Sequence, residues 1–97
     1  MQLTGPQKKY LRGIAHSLKP IITVGDKGIT PALMTELTSS LEHHELIKVK
    51  IRSGDRIQRD AIISELAQAC GAQLVGRIGN IASIYKAARD KPQITLP

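Results

Sequence analysis

The chain has 97 residues, 41% of them hydrophobic, with 14 Lys and Arg against 8 Asp and Glu for a net charge of +6. That length suits one domain with a single core, able to bury roughly 60–65% of the unfolded surface. No apolar run approaches the ~20 residues of a membrane span, which argues against a membrane protein. Residues 1–6 lack the apolar segment of an export signal, and the lone Cys70 permits no internal disulfide, so a cytoplasmic location is expected.

The charge is segregated along the chain. Residues 1–25 carry Lys8, Lys9, Arg12 and Lys19 and no acid; residues 28–47 carry Glu36, Glu42 and Glu45 and no Lys or Arg. Residues 48–59 return to Lys48, Lys50, Arg52, Arg56 and Arg59 against Asp55 alone. Clustered positive charge makes a directional field suited to a polyanion.

In chain order, Thr4-Gly5-Pro6 predicts a helix start, with Thr4 as N-cap. Leu11, Ile14, Ala15 and Leu18 form its apolar stripe, Lys8, Arg12 and His16 share another face, and Lys19-Pro20 is expected to end it. Residues 21–24 predict a short buried strand, and a second helix is expected over about 31–43, burying Leu33, Met34, Leu37 and Leu41. Residues 45–52 (ELIKVKIR) alternate Ile47, Val49 and Ile51 with Lys48, Lys50 and Arg52, which predicts a strand with one oily and one cationic face. Ser53-Gly54-Asp55 turns into a third helix with Ile62, Ile63, Leu66, Ala67 and Cys70 inward and Gly71 as C-cap. Residues 72–78 and 81–86 predict two strands joined by a hairpin turn at Gly79-Asn80, followed by a polar tail from about 87.

The order α-β-α-β-α-β-β predicts an α/β protein of the two-layer α+β type, with helices packed on a mixed four-stranded sheet. Strand–helix alternation implies parallel pairing with right-handed crossovers, and the hairpin adds one antiparallel contact.

The stretch VGDKGIT (24–30) sets Gly25 and Gly28 at the junction of the first strand and the second helix, with Asp26 and Lys27 between them. G-x-x-G alone is equally a tight turn needing positive φ. Its position before a helix N-terminus, with Lys27 at the tip, suits a loop that lets a phosphate reach backbone amides. Thr30 and Pro31 leave the amides of Lys27, Gly28 and Ile29 as the expected donors. No Gly-Lys-Ser/Thr ending or G-x-G-x-x-G is present, so nucleotide P-loops and dinucleotide folds are excluded. A sugar–phosphate clasp of the kind KH domains use remains.

Residues 12–20 (RGIAHSLKP), 24–30 (VGDKGIT), 43–51 (HHELIKVKI) and 78–86 (IGNIASIYK) together resemble the bacterial YhbY family, a stand-alone CRM (chloroplast RNA splicing and ribosome maturation) domain. The resemblance implies an RNA-binding protein associated with precursors of the large ribosomal subunit. It also implies a fold similar to the C-terminal domain of bacterial translation initiation factor three, and an RNA-contacting loop at Gly25, Asp26, Lys27 and Gly28. The family often has a basic residue where Asn80 stands and arginine where Lys86 stands. Lys86 keeps the charge without the planar fork.

The expected RNA-binding set is therefore Gly25, Asp26, Lys27 and Gly28 with Lys8, Arg12, Lys48, Lys50, Arg52 and Lys86, in a monomer without cofactor, metal or catalytic residues. Within the loop Lys27 is expected to face the ligand and Asp26 to turn away. With two tyrosines and no Phe or Trp, no multi-ring stacking platform is available, so phosphates and RNA shape should dominate recognition. The alternative is a metal-dependent nuclease, for which Asp55, Asp60 and Glu65 are the nearest carboxylates, although their spacing scatters them round a helix. His43-His44-Glu45 reads as structural, Cys70 as core, and Gly76-Arg77-Ile78-Gly79 as turn chemistry.

Overall fold

The computed structural model describes residues 2–52 and 54–97; Met1, and Ser53 of the expected Ser53-Gly54-Asp55 turn, lie outside the described residues. The elements run α1 (Gly5–Ala15), β1 (Ile22–Val24), α2 (Pro31–His44), β2 (Leu46–Ile51), α3 (Arg56–Cys70), β3 (Gln73–Ile78) and β4 (Ile81–Tyr85), in the predicted order.

Each helix begins on a side-chain cap. Thr4 and Gln7 form a capping box on α1, Asp55 and Gln58 another on α3, and the Thr30 hydroxyl accepts from the Leu33 amide at the start of α2. Gly71, in the left-handed region at φ +70°, closes α3 as expected. Helix α1 stops at Ala15, short of the expected Lys19-Pro20 boundary. Tight bonds from the Ser17 amide to Ile14 (3.3 Å) and the Leu18 amide to Ala15 (2.9 Å) wind the chain out of the α-helix. The Ser17 hydroxyl adds a bond to the same Ile14 carbonyl (3.1 Å).

The four strands lie in the order β1-β2-β4-β3. Strands β1 and β2 are parallel, while β4 is antiparallel to both β2 and β3. The expectation of a single antiparallel contact is thus corrected: β4 enters the sheet between β2 and β3 and makes two. Burial gives the reason. Four of the five β4 residues are buried, so both of its faces need cover and it belongs inside the sheet. Strand β3 has a register shift between Leu74 and Gly76, a feature suited to an edge.

Helices α2 and α3 pack on one face of the sheet, joining Leu33, Leu37, Leu41, Ile63 and Leu66 to Ile22, Val24, Ile47, Val49, Ile51, Ala82 and Ile84. Helix α1 takes the opposite face, where Leu11 and Ala15 meet Leu46, Val75 and Tyr85. The period-2 alternation of β2 is what divides these cores, with Leu46 facing α1 and Ile47 facing α2 and α3. Each fully buried Leu or Ile contributes about 1.5–3 kcal/mol.

Residues 87–97 contain no helix or strand, yet they are tied to the body through Glu45. Its buried carboxylate accepts from the amides of Ala88 (2.7 Å), Gln93 (2.7 Å) and Ile94 (2.8 Å). Neighbouring Glu42 accepts from Arg89 (2.9 Å), and Ile94 and Leu96 pack onto the α1 cluster.

Candidate nucleic-acid interface

The strand registers arrange the α1-side face of the sheet in rows. Leu46 and Tyr85 form a buried row beneath α1. The next row is Lys48, Ser83 and Gly76, and beyond it come Thr23, Lys50, Ile81 and Ile78. Cover thins in the same direction: Lys48 is half-buried, while Thr23, Lys50 and Ile78 are exposed. The last row therefore presents an open stretch of sheet with a single cation, Lys50, flanked by Thr23 and Ile81.

The glycine loop joins that open end. It leaves β1 at Val24, whose carbonyl accepts from the Arg52 amide (2.9 Å), and the Ile51 amide bonds the Asn80 carbonyl of the hairpin turn (2.8 Å). The loop, Arg52, Lys50 and the turn at Gly79-Asn80 thus meet at one end of the molecule. Sequence spacing places Lys50 and Arg52 together, but not beside residues 25–28; parallel pairing of β1 with β2 does that.

Within the loop, Gly28 sits at φ +66° and its amide donates to the Gly25 carbonyl (3.0 Å). That corrects one expectation, because the Gly28 N–H is used by the turn. At α2, Pro31 has no N–H, the Leu33 amide goes to Thr30 Oγ1 (3.1 Å) and the Met34 amide to the Thr30 carbonyl (3.0 Å). Most of the helix-end donors are thereby satisfied. Gly25 behaves differently. Its φ is not positive, and a Cβ there would meet nothing within 4 Å. The fold itself does not demand glycine at 25, so the empty space is available to a ligand. Lys27 is exposed, and Asp26 turns to a shallow cleft with Gly54, Gln58 and Ile62 at the start of α3, away from the basic face.

The remaining predicted residues divide between two ends of the sheet. Arg12 reaches over β3, with Nη1 donating to the Val75 carbonyl (3.2 Å). A Cβ at Gly76 would lie 2.9 Å from Arg12 Cδ, so a side chain there would displace the arginine. The glycine read as turn chemistry is thus a seat for an arginine, whereas Gly79 (φ +60°) does serve the turn. Lys48 donates to the Leu18 carbonyl (3.0 Å), closing the end of α1 with one of its three donors. Lys8 stands one helical turn, ~5.4 Å, behind Arg12 on α1. Lys86 is at the far end, beside Arg89, Glu42 and Cys70 in an open cleft of about 890 Å³, and is not brought to the glycine loop.

Three titratable groups cluster away from the loop. Burial would raise the Glu45 carboxyl, but the amides of Ala88, Ile94 and Gln93 outweigh it and hold the group below its ordinary value. Burial pushes up Cys70, partly opposed by Lys86, and burial together with the Glu45 charge pushes up Tyr85. Cys70 is therefore a protonated core thiol. Among the described residues no group of three His, Cys, Asp or Glu side chains is placed to hold a metal ion, and no helix is long and apolar enough to cross a membrane.

Sequence reasoning missed Glu45, which was assigned to the strand. It instead caps α2 at φ 65°, a conformation rare for a residue with a side chain. An acid at the head of an apolar strand, with no glycine after the helix, was the available signal.

The chain is similar to several known proteins. Residues 3–86 match the model of the CRS1 / YhbY (CRM) domain. A Haemophilus influenzae protein named "RNA-binding protein" is 37% identical over 95 residues, covering 98% of this chain and 95% of the relative. A Bacillus subtilis protein named "Probable RNA-binding protein" is also 37% identical over 95 residues, covering 98% and 99%. A Pseudomonas aeruginosa protein of the same description is 41% identical over 86 residues, covering 89% and 83%. A Staphylococcus aureus solution structure, described as an RNA-binding candidate, superposes with a TM-score of 0.85 at 34% identity over 99% of this chain and 100% of that one. Family model, relatives and fold agree: this chain belongs to the CRS1/YhbY (CRM) domain family.

Proposed function

We propose that this protein binds structured ribosomal RNA, in precursors of the large ribosomal subunit, as a monomeric cytoplasmic module without catalytic activity. The Gly25–Gly28 loop would receive the sugar–phosphate backbone, with Lys50 and Arg52 beside it and Arg12 and Lys48 farther along the sheet. The observation that carries this reading is the convergence of the loop, Lys50 and Arg52 on one open end, where a side chain at Gly25 would meet nothing. RNA as the ligand is supported by the relatives, which are named as RNA-binding proteins. Against the nuclease, Asp55 is engaged as the cap of α3 and Asp60 is held by Arg77.

The test is Gly28→Asp. Asp tolerates the left-handed region better than most residues, so the variant should remain folded with a modest melting shift. A carboxylate in the path of the phosphate should cost tenfold or more in affinity for a large-subunit RNA fragment, about 1.4 kcal/mol. A folded variant with parental affinity would refute the clasp.

A further inference from the structure

Between the end of α1 and the second and third rows of the sheet lies a cavity of about 330 Å³. It is lined by Arg12, His16, Lys48, Ser83, Ile78 and Ile81. Its volume falls at the low end of the ~300–1,000 Å³ typical of small-ligand sites. The lining joins two chemistries: Ile78 and Ile81 offer apolar surface, and Arg12, Lys48 and His16 bring nitrogen donors or cations to it. Ser83 adds a polar group. It is 8% exposed in a central strand and lines the cavity. A hydroxyl on a cavity wall can donate to a ligand or accept from it. Ile78, 80% exposed beside it, is a large apolar side chain in water that a flat apolar group would cover.

A simple anion would satisfy the cations and leave the isoleucines wet, while an apolar ligand would strand the cations. A nucleotide satisfies both. We propose that this pocket holds one unstacked nucleotide of the bound RNA, its base against Ile78 and Ile81 with an edge bonded to Ser83, and its phosphate facing Arg12 and Lys48. The free donors of the Arg12 guanidinium, or its planar face, suit either part of that ligand. This inference rests on the RNA-binding reading and deepens it. It adds a single base contact to a protein without an aromatic platform, at a place separate from the glycine loop.

The test follows backbone amide resonances of the full chain during titration with adenosine or uridine 5′-monophosphate, and separately with inorganic phosphate. The mononucleotide should shift Ser83, Ile78, Ile81 and Arg12 saturably, with a dissociation constant on the order of 1 mM. Phosphate alone should bind the same residues at least ~5-fold more weakly, about 1 kcal/mol. Ser83→Ala should weaken both the mononucleotide and structured RNA at least ~3-fold, about 0.6 kcal/mol. Ile78→Ser, at an exposed site outside the core, should do the same. Absent pocket shifts, or phosphate matching the nucleotide, would overturn the proposal. Pocket shifts with parental RNA affinity in both variants would mean that the site takes free nucleotides only, and would also overturn it. RNA binding that fails with Gly28→Asp but ignores both pocket variants would sink this inference and leave the proposed function standing.

Discussion

The two ends of the sheet are built on opposite principles. At the Glu45 end, α1, the α2 terminus and residues 87–97 close over Leu46 and Tyr85, and a buried carboxylate is fully occupied by backbone amides. At the loop end, the same face is uncovered, Lys50, Arg52 and Lys27 stand in solvent, and Gly25 borders open space. Polar groups at the first end are spent on the protein itself; at the second they stand in solvent. Under the proposed function a change at the first end should move folding and spare binding, and a change at the second should do the reverse.

The hardest blow to this division is Glu45→Ala. It removes the acceptor of one buried amide, Ala88, and two part-buried ones, Gln93 and Ile94, frees residues 87–97 from that anchor, and should cost about 3 kcal/mol in urea unfolding. At concentrations where the variant is still folded, its RNA affinity should be parental. A loss of affinity in the folded fraction would show that the two ends are not independent.

Acid should act on the closed end in the same direction, by a smaller step. The Glu45 carboxyl is held below its ordinary value of 4.5, so its contribution is fully present above that pH and disappears as pH falls through the folded value. Over that window stability should fall by up to about 1.4 kcal/mol per pH unit from this group. In Glu45→Gln that part of the acid sensitivity should vanish. Equal acid slopes for parent and variant, read from denaturant midpoints between pH 5 and ~2.5, would remove Glu45 as the acid-sensitive centre.

The smallest effects sharpen the open end. Removing one phosphate-contacting cation should lower the slope of log affinity against log salt by about 1. Lys50→Ala and Arg52→Ala should each show that change, and Lys86→Ala, at the closed end, should leave the slope unaltered. Equal effects from all three would replace a localised interface with diffuse positive charge.

Much of the molecule was legible without coordinates, because the signals were local. Thr4, Thr30 and Asp55 announce helix starts by side-chain chemistry that acts within three residues, and Gly71 announces an end by its tolerance of positive φ. Ile47, Val49 and Ile51 fix a strand by period alone. The loop and its neighbours Lys50 and Arg52 were identified as types of residue fit for phosphate, although not as one surface.

The elements, their order, the sign of the charge and the chemistry of the loop are all properties of a few adjacent residues. Tertiary structure alone decided the rest. It placed β4 between β2 and β3 because its buried faces need cover on both sides, and it tied Arg12 to the Val75 carbonyl across 63 residues of chain. It turned Glu45 from a strand residue into the anchor of residues 87–97, and it separated Lys86 from the cations it accompanies in composition. These outcomes depend on which distant groups find each other when water is excluded. Local pattern carries no record of that competition, because burial is settled by the whole chain at once.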